Sequence, residues 1–173
     1  VDLNLWPMAY DSEAALFTTI GNYRQESNDV EYNGEIYHWS KHHEWEKFLT
    51  LANRTEQAFE LAMKFDHLAD LERMTANGWQ VVSPVEMSLD IFGAYPEYFR
   101  RSRAEFTVAK DQNVRLRSGW FSDRTVRYLA AGKPVVVQDT GFSRTYPVGE
   151  GLIAFRTVEE AVRGVDAIQR DPR

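Results

Sequence analysis

Strand-like and helix-like segments alternate along most of this chain, and no other feature of the sequence constrains the fold as strongly. The apolar run at residues 134–137 is typical of a strand that is covered on both faces. Because the links between segments are short, consecutive strands should be parallel and joined by right-handed helical crossovers. We therefore predict an α/β fold: a single Rossmann-like open parallel sheet with helices on both faces, plus an N-terminal hairpin insertion.

Local composition places the other elements. Strands are predicted at residues 17–20, 56–63, 79–82, 105–109 and 151–155. Helices are predicted from residue 40 onward and at residues 66–77, 95–102, 122–131 and 157–169. Leu68 and Leu71 are expected to face inward, and Gly21-Asn22 is expected to form a tight turn after the first strand.

Two further signals mark a hairpin and two helix starts. Asn33-Gly34 predicts a hairpin over residues 30–37, because both turn residues of the favoured turn need positive φ. Ser40 and Ser122 each precede a helical pattern, so each hydroxyl is expected to cap the helix that follows.

Length and composition limit the class of protein. A length of 173 residues corresponds to one domain, with an irregular lead-in at residues 1–16 and the folded domain at residues 17–170. Cysteine is absent, which excludes disulfides, thiolate zinc sites and cysteine nucleophiles. No apolar run approaches the roughly 18 residues of a membrane span and no signal peptide is visible, so we expect a cytoplasmic protein.

Charge is distributed unevenly along the chain. The net charge is −6, whereas residues 100–133 contain nine basic and three acidic side chains, a local net charge of +6. The remaining 139 residues therefore sum to −12. An acidic protein with one basic region suggests a local anionic ligand, or basic helix faces that fall together by chance. The acidic total argues against a protein that binds nucleic acid over its whole surface.

Ligands of open parallel sheets bind beyond the carboxyl ends of the strands, which points to residues 110–124. This segment is predicted as a loop over residues 110–121 that leads into a helix N-terminus, where free N–H groups and the helix dipole favour an anion. Gly119 permits close backbone approach, and Lys110 and Arg124 can neutralise phosphate. An ordinary capped helix with solvated bases is the competing interpretation.

Two other positions are candidates for the same anion. Gly21-Asn22 follows the first strand, although a plain turn explains it equally well. Lys41 lies at a helix start, where a cation is unfavourable unless an anion is bound nearby. No metal site is predicted, because the adjacent His42 and His43 point to different helix faces.

One stretch resembles a known family. Residues 118–137, with the core Ala-Ala-Gly-Lys-Pro-Val-Val at residues 130–136, resemble the donor-binding segment of GT-B-fold glycosyltransferases of the family-four-like group. Asp139-Thr140-Gly141 matches the Asp-x-Gly that often follows. Residues 17–22 look like the strand and glycine that open that family's C-terminal domain, and Ser40-Lys41 stands where its phosphate-binding lysine begins the first helix.

The resemblance implies that this chain is the C-terminal, donor-binding half of such an enzyme, with residues 17–170 as the nucleotide-sugar-binding domain. It implies a nucleotide-diphosphate sugar as donor, no required cofactor, and a missing N-terminal acceptor domain in a longer chain that starts before Val1. The isolated chain is then expected to be inactive, and no catalytic base is assigned.

The resemblance also assigns roles to individual residues. The donor-binding and diphosphate-binding positions are Gly21, Asn22, Lys41, Lys110, Ser118, Gly119, Phe121, Ser122, Asp123 and Arg124. The family usually places a Glu five residues before the Gly that is Gly132 here, to hold the ribose hydroxyls. Arg127 occupies that position, and Asp123 is a possible substitute one helical turn earlier.

Two other functions fit the pattern of elements. A non-catalytic flavodoxin-like or receiver-like regulatory module would need an acidic pocket at the strand ends. A single-stranded nucleic-acid binder would use Trp120 and Phe121 as stacking platforms in the basic loop.

Overall fold

The computed structural model describes residues 3–4, 6–9, 11–26 and 28–170. Six parallel strands form one sheet flanked by helices, and a separate antiparallel hairpin follows the first strand. The predicted Rossmann-like α/β class with a hairpin insertion is thereby confirmed. Residues 1, 2, 5 and 10 of the predicted lead-in, and residues 171–173 of the chain, lie outside the described residues.

The strands are β1 (Phe17–Asn22), β2 (Val30–Tyr32), β3 (Glu35–Tyr37), β4 (Phe59–Lys64), β5 (Gln80–Val82), β6 (Ala104–Thr107), β7 (Val135–Gln138) and β8 (Leu152–Phe155). The α-helices are α1 (His42–Lys47), α2 (Leu68–Ala76), α3 (Val85–Leu89), α4 (Ala94–Arg100), α5 (Asp111–Arg115), α6 (Asp123–Ala130) and α7 (Val158–Arg170). Short 3₁₀ helices cover Leu49–Arg54 and Phe142–Arg144. Among the helices in the described ranges, none is both long and apolar enough to cross a membrane.

The order of strands in the sheet is β5-β4-β1-β6-β7-β8, and every neighbouring pair is parallel. The chain therefore builds the sheet in one direction from β1 to β5 and then restarts at β6 on the other side of β1. This is the strand order of doubly wound dinucleotide-binding folds, in which ligands bind where the direction reverses. The reversal lies between β1 and β6, so the crevice beyond their carboxyl ends is the expected ligand position.

Alternate residues of the central strands enter two separate hydrophobic cores, one on each face of the sheet. Phe17, Leu61 and Val136 pack on one face with Trp45 of α1, in a core that also contains residues of α2 and α7. Ile20 packs on the other face, in a core that contains residues of α3, α4 and α6. Burial on both faces explains why the strands read as continuous apolar runs.

Several local predictions are confirmed. Asn33 and Gly34 have φ of 52° and 76°, and they close the hairpin between β2 and β3. Ser122 caps α6 by accepting a hydrogen bond from the backbone N–H of Arg124 at 3.3 Å. At the start of α7, Thr157 Oγ1 accepts from the N–H of Glu160, and Glu160 accepts from the N–H of Thr157.

Other local predictions are wrong. Ser40 does not cap α1: the N-cap position is Lys41, and the Ser40 hydroxyl instead bonds His42 Nδ1 and the N–H of Gln25. Leu68 is 68% exposed, because Asp70 and Met74 form the inward face of α2.

Two predicted irregular segments are also ordered. Gly21-Asn22 continues β1 in register with β4 and does not form a tight turn. Residues 110–121 contain the short helix α5 and are not a continuous loop. Helix α3 precedes the predicted α4 and has no counterpart among the predicted elements.

Candidate functional site

The crevice between the carboxyl ends of β1 and β6 brings together three predicted site residues from distant parts of the chain. Gly21 lies at the end of β1, Lys41 at the start of α1, and Arg124 in the first turn of α6. A Cβ at Gly21 would lie 3.4 Å from Arg124 Nη1, so the small residue allows the guanidinium to lie against the strand end. Asn22 is exposed beside this point.

Lys41 is a buried residue, and no acceptor in the described part of the chain reaches its ammonium. The residue is 8% exposed, and within the described ranges its ammonium makes no hydrogen bond or ion pair. Its Nζ lies 5.7 Å from the centroid of the Trp120 ring. Burial, followed by repulsion from Arg124, lowers the pKa of Lys41 to about 7, although Glu105 acts in the opposite direction.

Helix α1 is held in place by a buried polar network around Glu44. Glu44 accepts a hydrogen bond from Gln138 Nε2 at 2.6 Å, and Gln138 in turn accepts from the N–H of Ala109 at 3.0 Å. Lys47 neutralises the Glu44 carboxylate at 2.5 Å. The network ties α1 to the carboxyl ends of β6 and β7, and it therefore fixes the position of Lys41.

Arg124 is held rigidly from three sides. Its Nε donates to Glu105 at 2.7 Å, its Nη1 to the carbonyl of Ile20 at 2.6 Å, and its Nη2 to Thr107 Oγ1 at 2.7 Å. Glu105 is fully buried, and its other carboxylate oxygen, Oε2, has no hydrogen-bond partner in the part of the chain that the structure describes. Arg124 therefore joins β1 to β6 and leaves its remaining N–H groups beside Gly21.

Lys110 lies at the N-cap position of α5, three residues after the end of β6. Its ammonium lies over the ring of Trp39, which follows the hairpin. Partial burial lowers the pKa of Lys110. A cation held over an aromatic face keeps its charge available on the other side.

The hairpin is fastened to α5 beside this lysine. The N–H of His38 donates to Asp111 at 3.0 Å, and Arg115 Nη1 donates to the carbonyl of Ile36 at 2.6 Å. The connection after β1 and the connection after β6 are therefore linked directly, which fixes the width of the crevice.

Ser118 and Gly119 form an ordered turn whose polar groups are largely used within the protein. The Gly119 N–H donates to the carbonyl of Thr140 at 2.9 Å, and Thr140 Oγ1 donates to the carbonyl of Trp120 at 2.6 Å. The Ser118 hydroxyl donates to Asn113 and accepts from the Trp120 N–H. Gly119 has φ of 74°, and no atom lies within 4 Å of the position of a Cβ there, so its Cα faces open space.

The remaining predicted positions lie at the start of α6. Phe121 packs edge-on against Phe142, with ring centroids 5.0 Å apart, so it belongs to the protein interior more than to an open binding face. Asp123 is exposed and pairs with Arg127 one turn later at 3.0 Å. Arg127 also lies 5.5 Å from the Trp6 ring centroid and donates to the Tyr95 hydroxyl. The Arg127 guanidinium is therefore engaged by Asp123, Trp6 and Tyr95.

The Asp139-Thr140-Gly141 segment has a structural role that explains its spacing. Asp139 is buried and accepts hydrogen bonds from the N–H of Gly141, from Ser143 and from Arg156. Burial acts to raise the pKa of Asp139, but the hydrogen bonds from Arg156 and Gly141 outweigh it and hold the pKa below its usual value. Gly141 has φ of 102°, and a Cβ there would lie 3.0 Å from the Arg117 carbonyl, so a larger residue would displace the turn.

Glu105 and Trp39 of the crevice were not predicted from the sequence, and Trp120 was predicted only as a stacking platform for nucleic acid. A signal existed for Glu105, because a carboxylate inside an apolar strand needs a buried cation as partner. The two tryptophans carry no such signal, since their positions over Lys110 and near Lys41 depend on how the hairpin and the loop after α5 fold back.

His38, His42 and His43 form a stack of rings. The His43 ring lies 3.8 Å from the His38 ring centroid and 3.9 Å from that of His42. Burial, together with His43 and Arg24, lowers the pKa of His42 to about 4. Across the described residues, no cluster of three or more metal-binding side chains has the geometry to hold an ion.

Comparisons with known proteins leave the family undecided. The chain matches no protein-family model, and it matches no curated protein sequence. The Rossmann-like fold and the geometry of the crevice are therefore the observations on which a function is proposed, and the resemblance to glycosyltransferases stays a prediction.

Proposed function

We propose that this domain binds the diphosphate of a nucleotide sugar in the crevice between β1 and β6, as the donor-binding domain of a GT-B-fold glycosyltransferase. The observation that carries the proposal is the ammonium of Lys41, which belongs to a residue only 8% exposed, lies near Arg124 and has no acceptor among the residues that the structure describes. A buried charge without a partner is costly unless a ligand supplies the counter-charge. Its position at the reversal of strand order, where this fold binds ligands, supports the same conclusion.

The charges of the crevice match a diphosphate. Lys41, Lys110 and Arg124 oppose one carboxylate, Glu105, which Arg124 already pairs. Lys41 and Lys110 are therefore the residues proposed to contact the phosphates, and Arg124 acts mainly through its field and through the N–H groups beside Gly21. Cations fixed at the diphosphate would stabilise the negative charge that develops there when the sugar–phosphate bond breaks.

The competing functions have less support. A receiver-like module needs an acidic pocket, but Glu105 is held by Arg124 and the lysines of the crevice outnumber it. A nucleic-acid binder would need both aromatic platforms free, and Phe121 packs against Phe142 while Trp120 is 39% exposed.

Binding of UDP-glucose, GDP-glucose and ADP-glucose, which share one sugar, tests the proposal and ranks the nucleotides. A saturating ligand at about 100 times its Kd should stabilise the fold by about 2.7 kcal/mol, which a thermal shift resolves. Lys41→Met should abolish the shift. Lys133→Met is the matched control, because Lys133 is also a buried lysine but precedes β7 at the opposite edge of the sheet. The absence of a shift with all three sugars at millimolar concentration would contradict the proposal.

A further inference from the structure

The proposed function leaves two questions open: which ligand charge the crevice accepts, and whether Lys41 is protonated before the ligand binds. Four charged groups meet in the crevice: Lys41 from the start of α1, Arg124 from α6, Glu105 from β6, and Lys110 from the β6–α5 connection. With Lys41 protonated, three cations oppose one carboxylate, an excess of two positive charges. With Lys41 neutral, the excess is one.

The environment of Lys41 favours its neutral form when no anion is bound. Its nearest charged neighbours on α6 and on the β6–α5 connection are cations, and Glu105 is committed to Arg124 through the 2.7 Å contact. The Trp120 ring lies 5.7 Å from Nζ and cannot replace a hydrogen-bond acceptor. A dianion placed against Lys41 and the free side of Arg124 reverses this balance, because it supplies both acceptors and counter-charge.

We propose that this crevice selects a dianionic ligand and takes up one proton, at Lys41, when that ligand binds. The inference rests on the proposed function for its natural ligand, since the diphosphate of a nucleotide sugar carries two negative charges. With Lys41 protonated, the two excess positive charges of the crevice neutralise a dianion fully. A monoanion such as a cyclic nucleotide favours protonation of Lys41 less strongly. Affinity for the dianion is consequently highest at low pH and falls as the pH rises above 7.

The first arm of the test does not depend on any nucleotide. Sulfate is a dianion throughout the relevant pH range, so the lysines are labelled with ¹³C at Cε and titrated in sodium sulfate and in sodium chloride of equal ionic strength. The signal that disappears in Lys41→Arg is assigned to Lys41. Its midpoint is expected near pH 7 in chloride and at least one pH unit higher in sulfate. A midpoint above pH 10 in chloride, or the same midpoint in both salts, would overturn the inference.

The second arm counts protons with the natural ligand class. The nucleotide sugar that binds most tightly is titrated by calorimetry at pH 8 in two buffers of different ionisation enthalpy. We expect an uptake of about 0.9 proton, because a group with a pKa of about 7 is mostly neutral at pH 8. Affinity should fall by up to about 10-fold per pH unit above pH 7. Lys133→Met should retain the uptake, whereas any binding that Lys41→Arg keeps should occur without proton uptake.

The outcomes separate the two proposals. If a nucleotide sugar binds with an enthalpy that is the same in both buffers, proton uptake is overturned and the proposed function stands. Failure of all three sugars to bind, together with a sulfate-dependent shift of Lys41, overturns the proposed ligand and supports a dianion site of another kind. If Lys41→Arg does not fold, the buffer dependence of the unmodified chain alone decides the question.

Discussion

Asp139 and Lys41 are two buried charged residues near the same edge of the sheet, and they differ in the hydrogen-bond partners that the chain provides for them. Asp139, which follows β7, accepts from Gly141, Ser143 and Arg156, so both of its oxygens have partners within the chain. Lys41 is also a buried residue, but its ammonium has no acceptor within the described ranges. Asp139 holds a turn in place, whereas Lys41 is the charge that we propose contacts a ligand, although sequence motifs suggested a role for both segments.

The largest expected effect comes from the pair that positions Arg124. Glu105→Gln removes the carboxylate from a buried guanidinium, and breaking one side of such a pair costs about 3–5 kcal/mol. Chemical denaturation should show this loss in the free energy of unfolding. The exposed pair between Glu35 and Arg115 provides the control, since Glu35→Gln should cost less than about 1 kcal/mol. Equal effects of the two substitutions would mean that Arg124 is solvated.

A smaller loss is expected at Asp139. Asp139→Asn keeps the shape but removes the charge that Arg156 and the Gly141 N–H stabilise, so the free energy of unfolding should fall by about 2–3 kcal/mol. Because the folded pKa of Asp139 is lowered, its contribution is present above the usual pKa of aspartate and is lost as the pH falls through the folded value. Stability of Asp139→Asn should therefore approach that of the unmodified chain in acid. A difference that is independent of pH would contradict this account.

Lys41→Met should raise the free energy of unfolding, in contrast to the two substitutions above. The folded pKa of about 7 lies below the usual value of 10.5, so at pH 6 the folded chain carries a buried ammonium that the unfolded chain solvates. The substitution should raise the free energy of unfolding by roughly 1–3 kcal/mol at pH 6. The gain should shrink between pH 7 and pH 10 as the unmodified chain loses its proton. Denaturant melts across this range measure it, and destabilisation at pH 6 would show that Lys41 has a partner in the protein.

The smallest effect concerns the start of α6. Ser122→Ala removes a helix cap and should cost about 1 kcal/mol, measured by the same melts. Thr157→Ala, at the reciprocal cap of α7, should cost a similar amount but leave ligand binding unchanged. A loss of nucleotide-sugar affinity in Ser122→Ala alone would indicate that the α6 terminus contacts the ligand.

Elements defined by local signals were predictable from sequence. The Asn33-Gly34 turn, the Ser122 cap, the Thr157–Glu160 box and the β7 strand each follow from residues within one turn or one strand. The Ser40 cap failed because a hydroxyl close to His42 and to the Gln25 N–H has partners that only the fold creates.

The candidate site was predictable in its residues but only partly in its arrangement. Lys41 stood out because a cation is unfavourable at a helix start, and the structure adds that the residue is buried and that its ammonium has no acceptor among the residues described. The pairing of Arg124 with Glu105 could not be predicted with the same force, because it depends on β6 and α6 lying on the same side of β1. Phe121 was assigned to the ligand from its position in a motif, while its packing on Phe142 depends on the fold.

The bond from Arg124 to the carbonyl of Ile20 spans 104 positions of the chain. Contacts of such sequence separation close late, because the intervening chain must first be ordered. During synthesis, both halves of the sheet would have to emerge from the ribosome before the crevice could form. Any fragment that ends before α6 would lack the crevice. Acquisition of ligand binding during refolding should accordingly lag behind the formation of helices and report the final joining of the two halves.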